Sequence, residues 1–141
     1  MNTARTFYKM HSLGNDFLVL DCVSSPQEID ANLVRSWSDR KRGIGFDQLL
    51  VIAPPTIAHA DFDYEIYNAD GSPAQQCGNG TRCVAFLAHH LALSKSKHLV
   101  WNSAAGMIET TLQSSQLIET LMTVPVLEHS LIPFSGNTDQ L

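Results

Sequence analysis

The stretch that most constrains this 141-residue chain runs from Cys83 to Leu93. Val84, Ala85, Phe86, Leu87, Ala88, Leu91 and Ala92 leave it almost no polar side. A helix that is apolar all round has to be buried all round, so the remaining chain must wrap it. The helix is entered through Cys77-Gly78-Asn79-Gly80-Thr81-Arg82, a Gly-rich segment. One end of the central helix is therefore approached by backbone that lacks a side chain at two of six positions, Gly78 and Gly80.

The wrapping elements read as strands. Phe7 to Met10 predicts a short strand and Phe17 to Cys22 a continuous apolar, buried one, with His11-Ser12-Leu13-Gly14-Asn15-Asp16 as the turn cluster between them. Ile29, Leu33 and Trp37, with Val34 beside them, recur at helical spacing and predict an amphipathic helix capped by Ser25 or Asp30 and ended near Gly43 and Gly45. Leu49 to Ile52 is a buried strand. Phe62, Tyr64 and Ile66 alternate with Asp61, Asp63 and Glu65 as a half-exposed one. Leu99-Val100-Trp101, Gly106 to Leu112 and Leu117 to Val124 predict further strands. The expected class is α/β, more narrowly α+β: a mixed, mostly antiparallel sheet around one central buried helix, with an ancillary helix outside. Residues 1–123 are expected to form that domain and residues 124–141, with Pro125 and a polar end, a linker.

Composition removes several alternatives. Nine Lys+Arg against 14 Asp+Glu, a net charge of −5, with no basic stripe, argues against a nucleic-acid partner. No apolar run is long enough for a membrane span, and the first residues show no apolar signal region, so a soluble cytoplasmic protein is expected. Cys22, Cys77 and Cys83 form no paired framework. Across six helical residues Cys77 and Cys83 stand about 9 Å apart, beyond disulfide reach. Their C-x5-C spacing is not that of a zinc ribbon, and no metal is expected.

Cys77 differs from the other two thiols in its neighbours. At a helix N-terminus free N–H groups and the positive end of the helix dipole face outward, and Gly78 and Gly80 let backbone approach a ligand. Such a terminus holds a carboxylate or phosphate and stabilises a thiolate. The bare spacing fits equally a tight turn that merely feeds a helix. Neither the dinucleotide fingerprint nor the phosphate-binding Gly-Lys-Ser/Thr loop is matched. Asn15, Gln48, Asn68 and Asn79 sit at or beside strand–turn junctions. Neutral amides both donate and accept, so with a helix-terminal cysteine they suggest a small zwitterionic substrate, although each amide alone also suits turn chemistry.

Three motifs carry a resemblance. Lys9 to Phe17 (KMHSLGNDF), Arg42 to Gln48 (RGIGFDQ), and Asn68-Ala69-Asp70-Gly71 continuing to Cys77-Gly78-Asn79-Gly80-Thr81-Arg82-Cys83 resemble, in order and spacing, the N-terminal half of the diaminopimelate epimerases. The resemblance spans roughly residues 5 to 135. Ser12 stands where the family usually has Gly, Thr81 where it usually has Ala, and Met122-Thr123-Val124-Pro125 lacks a common Gly.

The resemblance implies one half of a two-domain fold, with a second half carrying a second catalytic cysteine that this chain lacks. It implies cofactor-independent, two-thiol interconversion of LL- and meso-diaminopimelate in lysine and peptidoglycan precursor synthesis. Cys77 is then one acid/base, Gly78 and Asn79 offer backbone donors to the α-carboxylate, and Asn15, Gln48 and Asn68 hold the other polar groups. Cys22 and Cys83 are expected to be structural. A half alone is expected to be inactive, and its unpartnered sheet edge and cleft to favour a homodimer. Two other readings remain: a non-catalytic half that binds small anions or a partner, and a phenazine-biosynthesis-type isomerase, against which Cys77 within C-G-N-G argues.

Overall fold

A computed structural model describes residues 4–132. Its strands are β1 (Tyr8–Ser12), β2 (Asn15–Asp21), β3 (Gln48–Ala53), β4 (Phe62–Asn68), β5 (Pro73–Ala74), β6 (His98–Ser103), β7 (Gly106–Ser114) and β8 (Leu117–Leu121). The helices are α1 (Ala31–Ser38), between β2 and β3, and α2 (Gly78–His90), between β5 and β6. One sheet runs β1-β2-β3-β4-β6-β7-β8, with β5 paired to β4 off that path. Only β2–β3 and β4–β6 are parallel, so the sheet is mixed and mostly antiparallel, as expected.

The sheet curls around α2, which packs against β1, β2, β3, β7 and β8. Phe17, Val19, Leu50, Ile52, Tyr64 and Trp101 meet Val84, Leu87 and Ala88 in the main core. The alternate residues of β2 and β3, Leu18, Leu20, Leu49 and Val51, form a second core with Val34 of α1 and Phe46. This explains why β2 and β3 read as unbroken apolar runs: both faces are covered, α2 on one side and α1 on the other. Trp101 is fully buried, and its indole N–H donates to Thr110 Oγ1 at 2.8 Å.

Several expectations need correction. The turn cluster at residues 11–16 shrinks to two residues, Leu13 (φ 54°) and Gly14 (φ 85°), with Ser12 paired to Asn15 across the hairpin. Positive φ at both central positions matches the twist of the flanking strands, so pairing runs up to the turn. The Gly-rich segment is no loop before the helix but its first turn, and α2 ends at His90 rather than Leu93. Nor is α2 buried all round. Phe86 is 39% exposed and His90 stacks on it at 6.0 Å between ring centroids, because β1 and β8 do not meet over that side. Asp30, not Ser25, caps α1, its carboxylate accepting from the Asn32 and Leu33 N–H groups at 2.8 and 2.9 Å. β8 stops at Leu121, and the two-residue strand β5 was not foreseen. Residues 122–128 lie outside helices and strands, and a single 3-10 turn spans His129–Leu131; residues 133–141 of the expected linker lie outside the described residues.

Gly80 ties the first turn of α2 to the core. A Cβ there would stand 2.5 Å from Tyr64 Oη and 3.1 Å from both Leu50 methyls, all buried. At Gly78 the nearest atom is the flexible end of Met122, Sδ at 3.0 Å. Gly80→Ala should therefore lower stability by about 1–3 kcal/mol, and Gly78→Ala should change it by no more than about 0.5 kcal/mol. Urea midpoints of the two variants check this; equal losses contradict it.

Candidate active site

Topology collects the amide side chains at one end of the sheet. β2 and β3 run parallel, so their first residues, Asn15 and Gln48, lie at the same end. β4 runs antiparallel to β3 and brings its last residue, Asn68, opposite Gln48. There the Gln48 side-chain Nε2 donates to Asn68 Oδ1 at 3.0 Å. Cys77, at the start of α2, reaches the same end: its thiol donates to Asn15 Oδ1 at 3.9 Å, at the long end for a sulfur hydrogen bond.

Cys77 is the N-cap of α2, with extended backbone (φ −150°, ψ 99°). Its sulfur accepts from the Gly80 N–H at 3.3 Å. That is the place of a Ser, Thr, Asp or Asn oxygen in an ordinary cap, filled here by a thiol. The cap is held firmly from behind. The Cys77 carbonyl accepts from the Thr81 N–H and hydroxyl, each at 2.9 Å, and from the Tyr64 hydroxyl at 3.4 Å. Burial pushes that tyrosine hydroxyl well above its ordinary pKa, so it stays a donor. Among the described residues the Gly78 and Asn79 N–H groups have no protein acceptor, which leaves two outward donors beside the sulfur. The Asn79 side chain turns aside, its Oδ1 accepting from Arg82 at 3.0 Å.

The amides present a definite polarity. Asn15 Nδ2 donates to Asp47 Oδ2 at 2.8 Å, which turns its oxygen to the sulfur. The Ser72 hydroxyl donates to Asp70 Oδ1 at 2.6 Å and so accepts from Asn68 Nδ2 at 3.1 Å. Asn68 thereby shows its oxygen to Gln48, whose own Oε1 has no protein donor among the described residues. Acceptors on the sheet end and N–H donors on the helix end suit the cationic and anionic ends of a zwitterion. The other two thiols are buried, and burial raises both, Cys83 to about 11.

An ion-pair cluster backs Asn15. Arg40 grips Asp16 through two hydrogen bonds, 2.7 and 3.0 Å, and Asp47 at 2.9 Å; Lys9 reaches Asp16 at 2.6 Å. The backbone closes the same unit, with the Asp47 N–H donating to the Asp16 carbonyl at 2.9 Å and the Asp16 N–H to Asp47 Oδ2 at 3.1 Å. Sequence reasoning passed over Asp16, Asp47, Asp70 and Ser72. The adjacency of each acid to a singled-out amide or turn was the available signal.

Residues 7–127 match the family described as diaminopimelate epimerase. The chain belongs to that family. It is 43% identical over 128 residues to the diaminopimelate epimerase of Acinetobacter baylyi, covering 91% of this chain and 46% of that protein. It is 42% identical over 135 residues to that of Pseudomonas aeruginosa strain LESB58, covering 96% and 49%. The chain thus spans about half the length of the curated relatives it matches. Among solved structures it resembles a hydroxyproline epimerase from Agrobacterium vitis (TM-score 0.64, 14% identity, 82% of this chain and 40% of that one). It also resembles a PhzF-family phenazine biosynthesis protein from Bacillus anthracis (TM-score 0.56, 15% identity, 74% and 34%). At those identities the likeness is one of fold. The expected class, a mixed sheet around a central helix in the epimerase and PhzF fold, stands.

The Arg40 hydrogen bonds, opposed by partial burial and aided by Lys9, hold the Asp16 carboxyl well below its ordinary range. A carboxyl depressed on folding contributes stability that is full above its unfolded value, about 4, and fades as the pH falls from there toward the folded value. Asp16→Asn should lower the urea midpoint at pH 7, and the gap to the unsubstituted chain should narrow below about pH 4. A gap unchanged in acid overturns this reading of the cluster.

Proposed function

We propose that this chain supplies one of the two proton-transfer faces of a diaminopimelate epimerase, with Cys77 as its acid/base. The observation that carries the reading is a thiol in the N-cap of a buried helix, beside two unmatched N–H donors and three amides of fixed polarity. The Cys77 thiolate takes the α-proton of the LL substrate as the carbon–hydrogen electron pair moves toward the α-carboxylate. A second acid, supplied by the other half of the enzyme, delivers a proton to the opposite face and gives the meso isomer. No pyridoxal ring takes up the electrons in this scheme. The charge growing on the carboxylate instead meets the Gly78 and Asn79 N–H groups, preorganised as in an oxyanion hole, while Asn15, Gln48 and Asn68 hold the remaining polar groups.

In this proposal the chain works in the cytoplasm, in lysine and peptidoglycan precursor synthesis. Residues 1–123 are the half-domain, and 124–141 lead toward its counterpart. The outward Gly78 and Asn79 N–H groups favour one second reading: a half that binds a small anion such as the substrate's carboxylate without turning it over.

The two readings separate in heavy water. LL-diaminopimelate is incubated with this chain alone and with this chain mixed with the remaining half of a family member. The proposal expects deuterium at the α-carbon and meso product only in the mixture. Cys77→Ala should remove turnover by a factor of about 10²–10⁴ while Cys83→Ala keeps most of it. Equal loss in both variants sinks the assignment, and binding without exchange in the mixture supports the non-catalytic half.

We also propose that the chain pairs with a second copy. β1 and β8 each end the sheet with an unpaired edge among the described residues, and Phe7 and Phe86 are 41% and 39% exposed. Such edges recruit other chains. Light scattering over a concentration series should rise toward twice 15.5 kDa; a constant monomer mass contradicts this.

A further inference from the structure

Two aspartates stand behind the site's amides, each acting on it only through another side chain. Asp47 uses one oxygen, Oδ2, for Asn15 Nδ2 and the Asp16 N–H, and the other, Oδ1, for Arg40 at 2.9 Å. Asp70 uses Oδ1 for both the Ser72 N–H (2.8 Å) and hydroxyl (2.6 Å), and Arg35 donates to its carbonyl at 2.9 Å. A side-chain amide turned by 180° exchanges donor for acceptor at nearly the same shape. Without a constraint, Asn15, Asn68 and Gln48 could each present either group. A carboxylate only accepts, so each one compels its neighbour to donate to it and removes that freedom.

We infer that Asp47 and Asp70 are positioning residues that fix the polarity of the site, Asp47 through Asn15 and Asp70 through Ser72, Asn68 and Gln48. This inference rests on the proposed role of those amides in holding the substrate. The consequence is a site that presents amide oxygens, suited to an ammonium, and disfavours a second carboxylate on the sheet side. The two relays share no hydrogen bond, so each aspartate governs its own amides.

The design of each relay makes the test specific. Asp47→Asn would set its NH2 against Arg40 or Asn15, both donors, whereas at Asp70 a single oxygen takes both Ser72 contacts, so Asn there keeps that acceptor while losing the charge. Ala loses both. The side-chain NH2 resonances of Asn15, Asn68 and Gln48 in the free chain report orientation directly by NMR. Asp47→Ala should shift the Asn15 pair and speed its hydrogen exchange while leaving Asn68 and Gln48 unmoved. Asp70→Ala should do the converse, and Asp70→Asn, but not Asp47→Asn, should restore the unsubstituted pattern. Unchanged amide signals in the Ala variants, or failure of Asp70→Asn to restore them, overturns the inference; a merely structural loss would disturb all three amides together.

Titration with diaminopimelate adds the functional arm. Each Ala variant should bind about fivefold more weakly, the worth of one hydrogen bond, and Asp70→Asn close to the unsubstituted chain. If the unsubstituted chain shows no diaminopimelate-induced shifts, the proposed substrate contacts lose their support in this chain. The amide signals of the free protein then still decide whether the aspartates set the polarity.

Discussion

Everything in this chain follows from covering α2 on its flanks while leaving its N-terminus open. A helix carrying Val84, Ala85, Leu87 and Ala88 cannot stand in water, and the sheet curls around it from β1 to β8. The open end is paid for by local means: sulfur on Gly80 N–H, and Thr81 and Tyr64 on the Cys77 carbonyl. Because Gly80 lies against Tyr64 and Leu50, the first turn of α2 and the core are one packed body. The site's position is therefore set by the same contacts that stabilise the domain.

Around that terminus the polar groups hold one another in fixed orientations. The ion pairs of Arg40 and Lys9 with Asp16 are partly exposed, and each alone contributes little to stability. Their joint geometry matters more, since it anchors the Asp16–Asp47 unit behind Asn15. Asp70 and Ser72 do the same for Asn68 within a tight turn, where the Asn68 and Gly71 backbone groups also bond. Charge that looks like surface decoration thus serves to orient neutral groups.

Much of this was legible from the residues, and what was not has physical causes. The unbroken apolar runs at 17–20 and 49–52 announced two-sided burial, and Phe62, Tyr64 and Ile66 announced one buried face. Cys77, Asn15, Gln48 and Asn68 were singled out, and the fold brings them to one end of the sheet. The exposure of Phe86 was not visible, because helical periodicity says nothing about where the sheet's two edges stop. Glycines weaken helix propensity and so hide the start of α2, where the tertiary contact at Gly80 outweighs that preference. The contacts of Asp47 and Asp70 are not legible in sequence, because an acid next to a turn is ordinary and only the folded pairing shows what it grips.

The sulfur's role as a cap has a consequence for how such a site can change over generations. Serine or aspartate at position 77 would satisfy the same Gly80 N–H, so the helix would keep its end and the domain its shape. The scaffold is thus nearly indifferent to the identity of the atom it presents most prominently. A lineage could therefore change the side chain at position 77 without first having to survive an unstable intermediate.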